Sequence, residues 1–528
     1  MRWMSDMTLE NTEALPSHTA APRIDIARLG IGMLFLAGVF LYADSYLSVG
    51  GGTFLVIAAM VGGYMAMNIG ANDVANNVGP AVGSGALTMV GAIAIAATFE
   101  VAGAMLAGGD VVSTIKNGII DPSLIGDTTI FIWLMMAALA AAAIWLNIAT
   151  AFGAPVSTTH SIVGGVLGAG IAAGGWQVAN WDTVAAIAAS WIISPVLGGI
   201  IAAAFLYLVV RLVIYQKDLV SSAKTVVPFL IAVMVGAFVT YLAIKGLKKV
   251  WKIDFALALA FGVAGAGISY VTVKPLIARI SKKLSNDRQS IDRLFTLPLI
   301  VAAALLSFAH GANDVANAVG PLAAIADALS KGDIAEKAAI PLWVMVIGAG
   351  GIALGLALYG PKLIRTVGSE ITHLDKTRAF CVALGAAITV IIASQFGLPV
   401  SSTHIAVGGI FGVGFLREYL NSNVQRMNFE IEDCLRGENR GEVKAFMDDF
   451  GTAAIADKMG MVKNLRQNGC SKLYLAKKDR KDIRKGLRNE IVKRAMLVRI
   501  VSAWIVTVPA SASMAAALFY TIRGFMLP

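Results

Sequence analysis

Residues 70–80 read GANDVANNVGP and residues 311–321 read GANDVANAVGP, so ten of the eleven positions agree. Each copy is followed by a second motif, FGAPVSTTH at 152–160 and FGLPVSSTH at 396–404. From the first Gly to the later Pro the separation is 85 positions in one copy and 88 in the other. Two motifs that recur in the same order at nearly the same distance indicate an internal duplication.

The composition around these motifs is that of a membrane protein. Of the 528 residues, 57% are hydrophobic and 14% are charged, whereas soluble domains carry about 25% charged residues. Eleven long windows are apolar enough to span a bilayer, and two shorter, Gly-rich windows lie near 155–174 and 400–416. Backbone N–H and C=O groups inside lipid must form their hydrogen bonds within the protein, which favours helices. The sequence lacks the alternation of apolar and polar residues that is typical of a transmembrane β-barrel. We therefore predict an all-α polytopic membrane protein with about 12 transmembrane helices.

The duplication and the charge pattern divide the chain into six parts. These are a polar N-terminal tail (1–28), the first helix with transport repeat 1 (29–215), connecting helices with a basic cytoplasmic loop (216–289), transport repeat 2 (290–416), a charged cytoplasmic insert (417–495) and a final transmembrane helix (496–528). The first apolar run is too long for the core of a cleavable signal peptide, so we interpret it as a retained helix. No function is assigned to the insert.

The net charge of +10 does not indicate a nucleic-acid-binding protein, because the basic residues concentrate in loops between apolar windows. Basic loops stay in the cytoplasm, which places the loop 274–293 and the insert 417–495 on that side. The lysines between Lys245 and Lys252 are separated from the loop 274–293 by a single membrane span. The two basic segments therefore face opposite sides of the membrane, although the positive-inside rule would place both in the cytoplasm.

Each GANDVAN motif places polar residues at the end of an apolar run. An ionisable side chain at membrane depth costs about 2.5–3.5 kcal/mol or more, so it persists only with a partner or a purpose. The flanking Gly and Pro residues predict a broken helix, which is tolerated only where the freed backbone lines a protein-enclosed cavity. Breaks at matching positions of two halves indicate the binding site of a transporter.

The second motif predicts an anion site. Pro followed by hydroxyl residues is typical of a helix start, where unpaired N–H groups and the positive end of the dipole favour anions. The hydroxyl residues predicted to bind the anion are Ser157, Thr158, Thr159, Ser401, Ser402 and Thr403. Two such helix starts, one from each half, could enclose a tetrahedral oxyanion.

The charges in the motifs indicate that a cation accompanies the anion. Neither motif contains Lys or Arg, and the fixed charges are the carboxylates of Asp73 and Asp314. Carboxylate, amide and hydroxyl oxygens suit Na⁺ or protons. Moving one charge against the membrane potential costs about 2.3 kcal/mol per 100 mV, so a dianion needs about two monovalent cations merely to cancel its charge.

Other polar residues in apolar stretches admit two interpretations. Glu100 is either a coupling carboxylate or a structural residue hydrogen-bonded to the broken helices. Asp110 is expected at the membrane interface. For His160 and His404, which end the second motifs, we expect packing or hydrogen-bonding roles.

With both motifs present twice, the sequence resembles the inorganic phosphate transporter (PiT) family over about 50–416 and the final helix. The resemblance implies two inverted repeats with broken or re-entrant helices, and symport of phosphate with Na⁺ or H⁺ as the co-transported ion. It implies phosphate contacts at Asn76 and Asn317 and at the hydroxyl clusters. The residues implied in cation binding or coupling are Asn72, Asp73, Asn313, Asp314 and Glu100, with Na⁺ expected at Asp73 and Asp314. Many members have Glu about where this chain has Ala383, which leaves the identity and number of the cations open.

The leading hypothesis is thus a multi-pass phosphate symporter of the cytoplasmic membrane, without a cofactor and in contact with lipids. A homo-oligomer is compatible with the sequence. The alternative within the class is a permease for sulfate or another tetrahedral oxyanion. A membrane hydrolase is disfavoured because no nucleophile motif accompanies the histidines. A passive channel is disfavoured because paired broken helices fit alternating access better.

Overall fold

The computed structural model describes residues 26–47, 52–152, 156–246, 253–331, 340–369, 374–434, 449, 461 and 494–526. Within these ranges the regular structure is helical, apart from one isolated antiparallel bridge between Ile120 and Ala179. Eleven helical stretches of the described chain are long and apolar enough to cross a membrane, and they coincide with the eleven long windows of the sequence. The all-α polytopic prediction is confirmed. Residues 1–25 and most of the predicted insert lie outside the described ranges.

The first half and the connecting helices occupy residues 26–294. Their helices are α1 (Ile26–Leu47), α2 (Gly52–Asn72), α3 (Ala75–Gly83), α4 (Met89–Ala107), α5 (Gly109–Asn117), α6 (Thr128–Ala151), α7 (Thr158–Gly174), α8 (Trp181–Val209), α9 (Leu219–Lys245), α10 (Phe255–Ser281) and α11 (Arg288–Leu294). Residues 210–214 continue α8 as a short π-helical turn.

The second half repeats this succession of long and short helices. Its helices are α12 (Thr296–Asp314), α13 (Ala316–Lys331), α14 (Leu342–Ser369), α15 (Lys376–Gln395) and α16 (Ser402–Cys434), and α17 (Arg494–Met526) ends the described chain. The predicted boundary between repeat 2 and the insert falls inside α16, and α17 begins two residues before the predicted final helix.

Both GANDVAN motifs break a helix. The break lies at the Asp, between α2 and α3 and between α12 and α13, and the motif prolines Pro80 and Pro321 lie inside the second segments. Across the first break the Asp73 N–H still donates to the carbonyl four residues back, whereas the Asn76 N–H donates three residues back, to Asp73. The ladder therefore tightens for one turn, as in a 3₁₀ segment.

The second motifs form the tips of two hairpins, α6–α7 and α15–α16. Ser157 caps α7 by accepting from the His160 N–H at 3.1 Å. Ser401 caps α16 by accepting from the His404 N–H at 3.2 Å. The helices thus begin where the hydroxyl clusters predict. Pro155 of the first motif lies outside the described residues.

Glycine allows the broken helices to touch their neighbours. A Cβ on Gly70 would lie 1.9 Å from the carbonyl oxygen of Ile352, and a Cβ on Gly311 would lie 2.2 Å from that of Glu100. Only hydrogen fits at either position, so α2 packs directly on α14, and α12 packs directly on α4. These equivalent contacts make Glu100 the structural counterpart of Ile352.

The two hairpins enter from opposite ends of the helical bundle. The loop before α8 is anchored beside α5 by the Asn180 N–H, which donates to Ile119 O at 3.0 Å. After α8 crosses the bundle, the chain meets Asn286 at the other end, where the Leu219 N–H donates to the Asn286 side chain at 2.8 Å. Because α7 ends just before α8, the α6–α7 hairpin has its base at the first of these ends.

The α15–α16 hairpin has its base at the other end, since Arg288 Nη2 lies 3.9 Å from Asp375 Oδ2 at the start of α15. The basic loop 274–293 and the base of the α15–α16 hairpin therefore share one face. Lys245 ends the single helix that leads away from that face, and it pairs with Asp110. The charge of Lys245, which the positive-inside rule did not explain, is thus neutralised by Asp110 inside the protein.

Candidate transport site

The two broken helices meet the two hairpin tips in one buried polar cluster. The Asn76 amide donates to Thr403 Oγ1 at 2.8 Å, and the Asn317 amide donates to Thr158 Oγ1 at 3.0 Å. Each broken helix is therefore bonded to the hairpin of the other half. The four side chains are at most 1% exposed, so the two halves share one site rather than carrying one each.

Asp73 is held by hydroxyl groups from both halves. Its Oδ2 accepts from Thr158 Oγ1 at 2.5 Å, and its Oδ1 accepts from Thr403 Oγ1 at 3.0 Å. Charge-assisted hydrogen bonds of this kind are about twice as strong as neutral ones. The Asp73 carboxylate thus joins the two hairpin tips.

Asp314 has different partners. Its Oδ2 accepts from Ser402 Oγ at 2.9 Å and lies 2.7 Å from His310 Nε2, although that N–H is not well directed at the oxygen. The other ring nitrogen, His310 Nδ1, lies 2.7 Å from Glu100 Oε2, and the Asn77 amide donates to Glu100 Oε1 at 2.8 Å. An imidazole therefore links the two carboxylates in a fully buried row.

His310 and Asn77 are site residues that the sequence analysis missed. Asn77 belongs to the quoted motif, and His310 directly precedes the second copy in the apolar run LLSFAHGAND. An ionisable residue in such a run was the available signal, since it costs energy in a membrane. The corresponding residue before the first motif is Ile69, so the repeat comparison alone gave no indication of it.

Asn72 and Asn313 tie each broken helix to the hairpin of its own half. The Asn72 amide donates to Thr150 Oγ1 at 2.9 Å, and its Oδ1 accepts from the Val156 N–H at 3.2 Å. The Asn313 amide donates to Ser394 Oγ at 3.0 Å and to Leu398 O at 3.2 Å. These bonds hold the carboxylate-bearing breaks against the hairpin tips.

The hairpin tips present backbone N–H groups to the cluster. The first backbone bond within α7 is donated by Ser161, and the first within α16 is donated by Ile405. The N–H groups of Thr158, Thr159, Ser402 and Thr403 precede these bonds. They therefore lie at the positive ends of the helix dipoles, where anions are favoured. Thr159 Oγ1 donates to Val400 O at 3.0 Å and so joins the tips to each other.

Several buried oxygens of the cluster have no hydrogen-bond donor among the described residues. They are Asn76 Oδ1, Asn313 Oδ1, Asn317 Oδ1 and Asp314 Oδ1. The orientation of the Asn76 and Asn313 amides is fixed, because each NH₂ donates to a backbone carbonyl that can only accept. One ligand atom from each of Asp73, His310 and Asp314 also lies within 4.8 Å of the others. Oxygens that lack donors suit a hard cation.

Behind the tips, two stacked pairs of rings lie side by side. His160 lies on Trp191 with ring centroids 3.6 Å apart, His404 lies on Trp504 at 3.5 Å, and the two histidine rings are 4.4 Å apart. His160 Nδ1 lies 2.7 Å from Ser157 Oγ, whereas neither ring nitrogen of His404 has a hydrogen-bond partner in the described structure. The two histidines thus pack the halves together, and one of them also positions a cap hydroxyl.

A polar cluster built from paired helix breaks and helix starts, inside a bundle with eleven candidate spans, defines a membrane transporter rather than an enzyme. Residues 69–515 match the model of the phosphate transporter family. The chain belongs to this family.

The relatives agree with this assignment. A Helicobacter pylori protein named as a phosphate permease is 48% identical over 530 residues, which cover 98% of this chain and 99% of that protein. Because this alignment covers 98% of the chain, it includes most of residues 417–495. A Pyrococcus furiosus protein with the same type of name is 42% identical and covers 69% of this chain and 87% of its own. A solved structure titled as the sodium-dependent phosphate transporter has a TM-score of 0.72 and 32% identity, and covers 90% of this chain and all of that one.

Proposed function

We propose that the protein imports inorganic phosphate across the cytoplasmic membrane together with cations, by alternating access at the shared site. In this proposal the two repeats are inverted relative to each other. The entry of the two hairpins from opposite ends of the bundle supports this. A site shared by two inverted halves can open to either side when the halves rock against each other.

The observation that carries the proposal is the adjacency of two unlike sets of groups. Unpaired buried oxygens around Asp73 and Asp314 suit cations, and the helix starts at 158 and 402 suit an anion. Neither ligand is favourable without the other. A bare anion would meet the two carboxylates, and a bare cation would meet the positive helix ends. Binding of both together neutralises the site, which is the physical basis of coupling.

The residue roles follow from this arrangement. Asp73 and Asp314, with the side-chain oxygens of Asn72 and Asn313, hold the cations. The hydroxyl clusters 157–159 and 401–403 hold phosphate together with the backbone N–H groups. The NH₂ groups of Asn76 and Asn317, which donate to Thr403 and Thr158 in this structure, turn to phosphate when it binds. Because Thr158, Thr403 and Ser402 donate to the carboxylates in this structure, phosphate binding requires that these hydroxyl protons turn from carboxylate to phosphate. Cations on the carboxylates favour that exchange.

Sodium is the coupling ion that the donor set favours, since hard oxygen ligands predominate, and the structural neighbour is sodium-dependent by its title. A proton is the alternative, carried on the row of Glu100, His310 and Asp314. The missing acidic residue at Ala383 reduces the number of carboxylates available to either ion.

Phosphate is favoured over sulfate by the carboxylates. Phosphate near neutral pH retains at least one O–H group, which can donate a hydrogen bond to a carboxylate oxygen such as Asp314 Oδ1. Sulfate has no proton at this pH and offers only acceptors. A site that holds two acidic side chains therefore rejects sulfate more strongly.

The proposal is tested by uptake into proteoliposomes containing the purified full chain. Labelled phosphate and labelled sulfate are compared under an inward Na⁺ gradient and, separately, under an inward proton gradient. We expect phosphate accumulation driven by Na⁺, with sulfate uptake at least tenfold lower. Sulfate accumulation equal to that of phosphate would overturn the substrate, and accumulation without either gradient would overturn the coupling.

A further inference from the structure

A short helix, α5, is held by two lysine–aspartate pairs at the end of the bundle that lies away from the basic loop 274–293. Lys116 of α5 pairs with Asp327 of α13, and Asp110 of α5 pairs with Lys245 of α9. We call these four residues the outer ion pairs. The first pair joins repeat 1 to the second segment of the broken helix of repeat 2.

The outer ion pairs are also connected to the tip of the α15–α16 hairpin. Lys245 Nζ donates to Gln395 O at 3.5 Å. The hydroxyl of Thr114, in the middle of α5, donates to Gly397 O at 2.8 Å. These two carbonyls lie only a few residues before the hydroxyl cluster 401–403 in the chain. Helix α5 is therefore bonded to the hairpin tip that carries one of the two hydroxyl clusters.

The pair between Lys116 and Asp327 is almost removed from water, since its side chains are 7% and 12% exposed. Charged residues within membrane segments are expensive and are usually functional. A buried ion pair adds little stability compared with well-packed apolar side chains, because both charges lose their hydration, but separating the charges without water is strongly unfavourable. Such a pair favours two states, one closed and paired and the other open and hydrated, over any arrangement between them.

The two glycines at the same position of the GANDVAN motifs show which residues of the two halves correspond. A Cβ on Gly320 would lie 2.8 Å from Ile115 Cγ2, and a Cβ on Gly79 would lie 3.0 Å from Val367 Cγ1. Ile115 of α5 and Val367 of α14 are therefore equivalent.

The equivalent place in the other half is built differently. The residue that follows is Lys116 in α5 but Gly368 in α14. A Cβ on Gly83 would lie 2.0 Å from Gly368 O, so backbone packs on backbone there. By the same correspondence Asp110 is equivalent to Lys362, which is exposed and has the opposite charge. Buried ion pairs are thus a feature of the α5 side, whereas the α14 side is packed through glycine.

The outer ion pairs lie beyond the transport site along α13. Asp327 follows Asn317 by ten residues on that helix, which is roughly 15 Å at 1.5 Å per residue. The positive-inside rule places the basic loop 274–293 in the cytoplasm, so the end that carries the pairs faces outward.

We propose that the outer ion pairs form the extracellular gate of the transport site. When they are paired, they hold α5 against α13 and against the α15–α16 tip, and the site is closed to the outside. When they separate, water hydrates the four charges and α5 moves away from α13. The proposal rests on alternating access as the proposed function. Its test needs no phosphate uptake, so a failure of the gate and a failure of the proposed function are distinguishable.

The test compares cysteine labelling on the two sides of the membrane, in a chain whose three native cysteines are replaced. Ile115→Cys reports on the contact of α5 with α13, and Val367→Cys reports on the equivalent contact of the other half; both positions are buried. Each reporter is combined with Lys116→Gln, with Lys245→Gln or with the control Lys283→Gln, which removes an exposed charge from the basic loop.

A membrane-impermeant maleimide is applied to right-side-out and to inside-out vesicles. Size-exclusion chromatography in a neutral detergent shows that each variant is folded, and the second gate variant is available should the first fail to fold. We expect Ile115→Cys to be labelled from outside roughly tenfold faster in both gate variants than in the control, as expected for the loss of one hydrogen bond between charged groups. Labelling of Val367→Cys from inside should not rise.

Three outcomes would overturn the proposal. Unchanged labelling of Ile115→Cys would show that the pairs do not hold α5 in place. Equal acceleration at Ile115→Cys and Val367→Cys would show that the variants loosen the whole fold. Acceleration at Ile115→Cys in inside-out vesicles alone would show that the pairs do not close the outer side.

Discussion

The two copies of the GANDVAN motif are nearly identical in sequence, yet their aspartates have different surroundings. Asp73 is bonded to threonines from both halves, so hydroxyl oxygens dominate its surroundings. Asp314 is bonded to Ser402 and contacts His310, which in turn contacts Glu100. At the positions equivalent to His310 and Glu100, the other copy has Ile69 and Ile352. A duplicated motif has thus kept its backbone role, whereas the residues packed against it have made the two copies chemically unequal.

The largest effect is expected from removal of the charges themselves. Asp73→Asn and Asp314→Asn should each reduce cation-driven phosphate uptake at least 100-fold, because the amide cannot hold a cation against the positive helix ends. Uptake in proteoliposomes measures the effect. The control is Asp182→Asn, at an exposed aspartate in the first turn of α8, which should leave uptake unchanged. Normal uptake in both site variants would disprove the assignment of the aspartates.

The imidazole that distinguishes the second copy gives the next prediction. His310→Ala leaves two buried carboxylates without their shared partner and should lower the free energy of unfolding by about 3–5 kcal/mol. The double variant Glu100→Ile with His310→Ile copies the apolar residues Ile69 and Ile352 at the first motif. The double variant should recover most of the lost stability, whereas phosphate uptake should be absent in both variants.

Thermal unfolding in detergent, followed by uptake, checks this pair of variants. If the double variant is no more stable than His310→Ala, then Ile69 and Ile352 are not equivalent to the pair that they replace. If the double variant transports phosphate normally, the row of Glu100, His310 and Asp314 has no part in coupling.

A smaller effect is expected from the hydroxyl groups. Thr403→Ala removes the bonds to Asp73 and Asn76 that cross between the halves and should raise the phosphate KM roughly tenfold, since hydrogen bonds to charged groups contribute about 1.5–3 kcal/mol. Thr403→Ser keeps the hydroxyl and serves as the matched control. An equal KM for the Ala and Ser variants would show that the methyl group, not the hydroxyl, is required.

The smallest expected effect separates the two stacked histidines. His404→Phe should change the uptake rate by less than about twofold, because the ring packs without hydrogen bonds. His160→Phe should reduce uptake about fivefold, because it removes the partner of Ser157 Oγ, a loss of about 1 kcal/mol. Equal losses in both variants would show that the stack itself, rather than the cap hydroxyl, matters.

Much of the fold could be predicted from local patterns. The eleven long apolar windows became the eleven candidate spans, and the breaks and helix starts lie within the two motifs. These features depend on residues that are neighbours in the chain. The cluster was harder to predict: the motifs contain Asn76, Asn317 and the hydroxyl residues that the structure brings together, but they do not contain His310. Its pairing with Glu100 joins residues 210 positions apart, and no motif spacing encodes such a contact.

The motifs and the apolar windows alone indicate a duplicated, all-helical membrane protein of the phosphate transporter type. The lengths of its apolar runs set the spans, and the polar motifs identify where helices break and begin. Which of these helix ends meet depends on how the helices pack in three dimensions. Each broken helix bonds the hairpin of the opposite half, and His310 joins two carboxylates. Such contacts depend on how helices pack, because side chains hundreds of positions apart become neighbours only when glycines such as Gly70 and Gly311 bring the helices together.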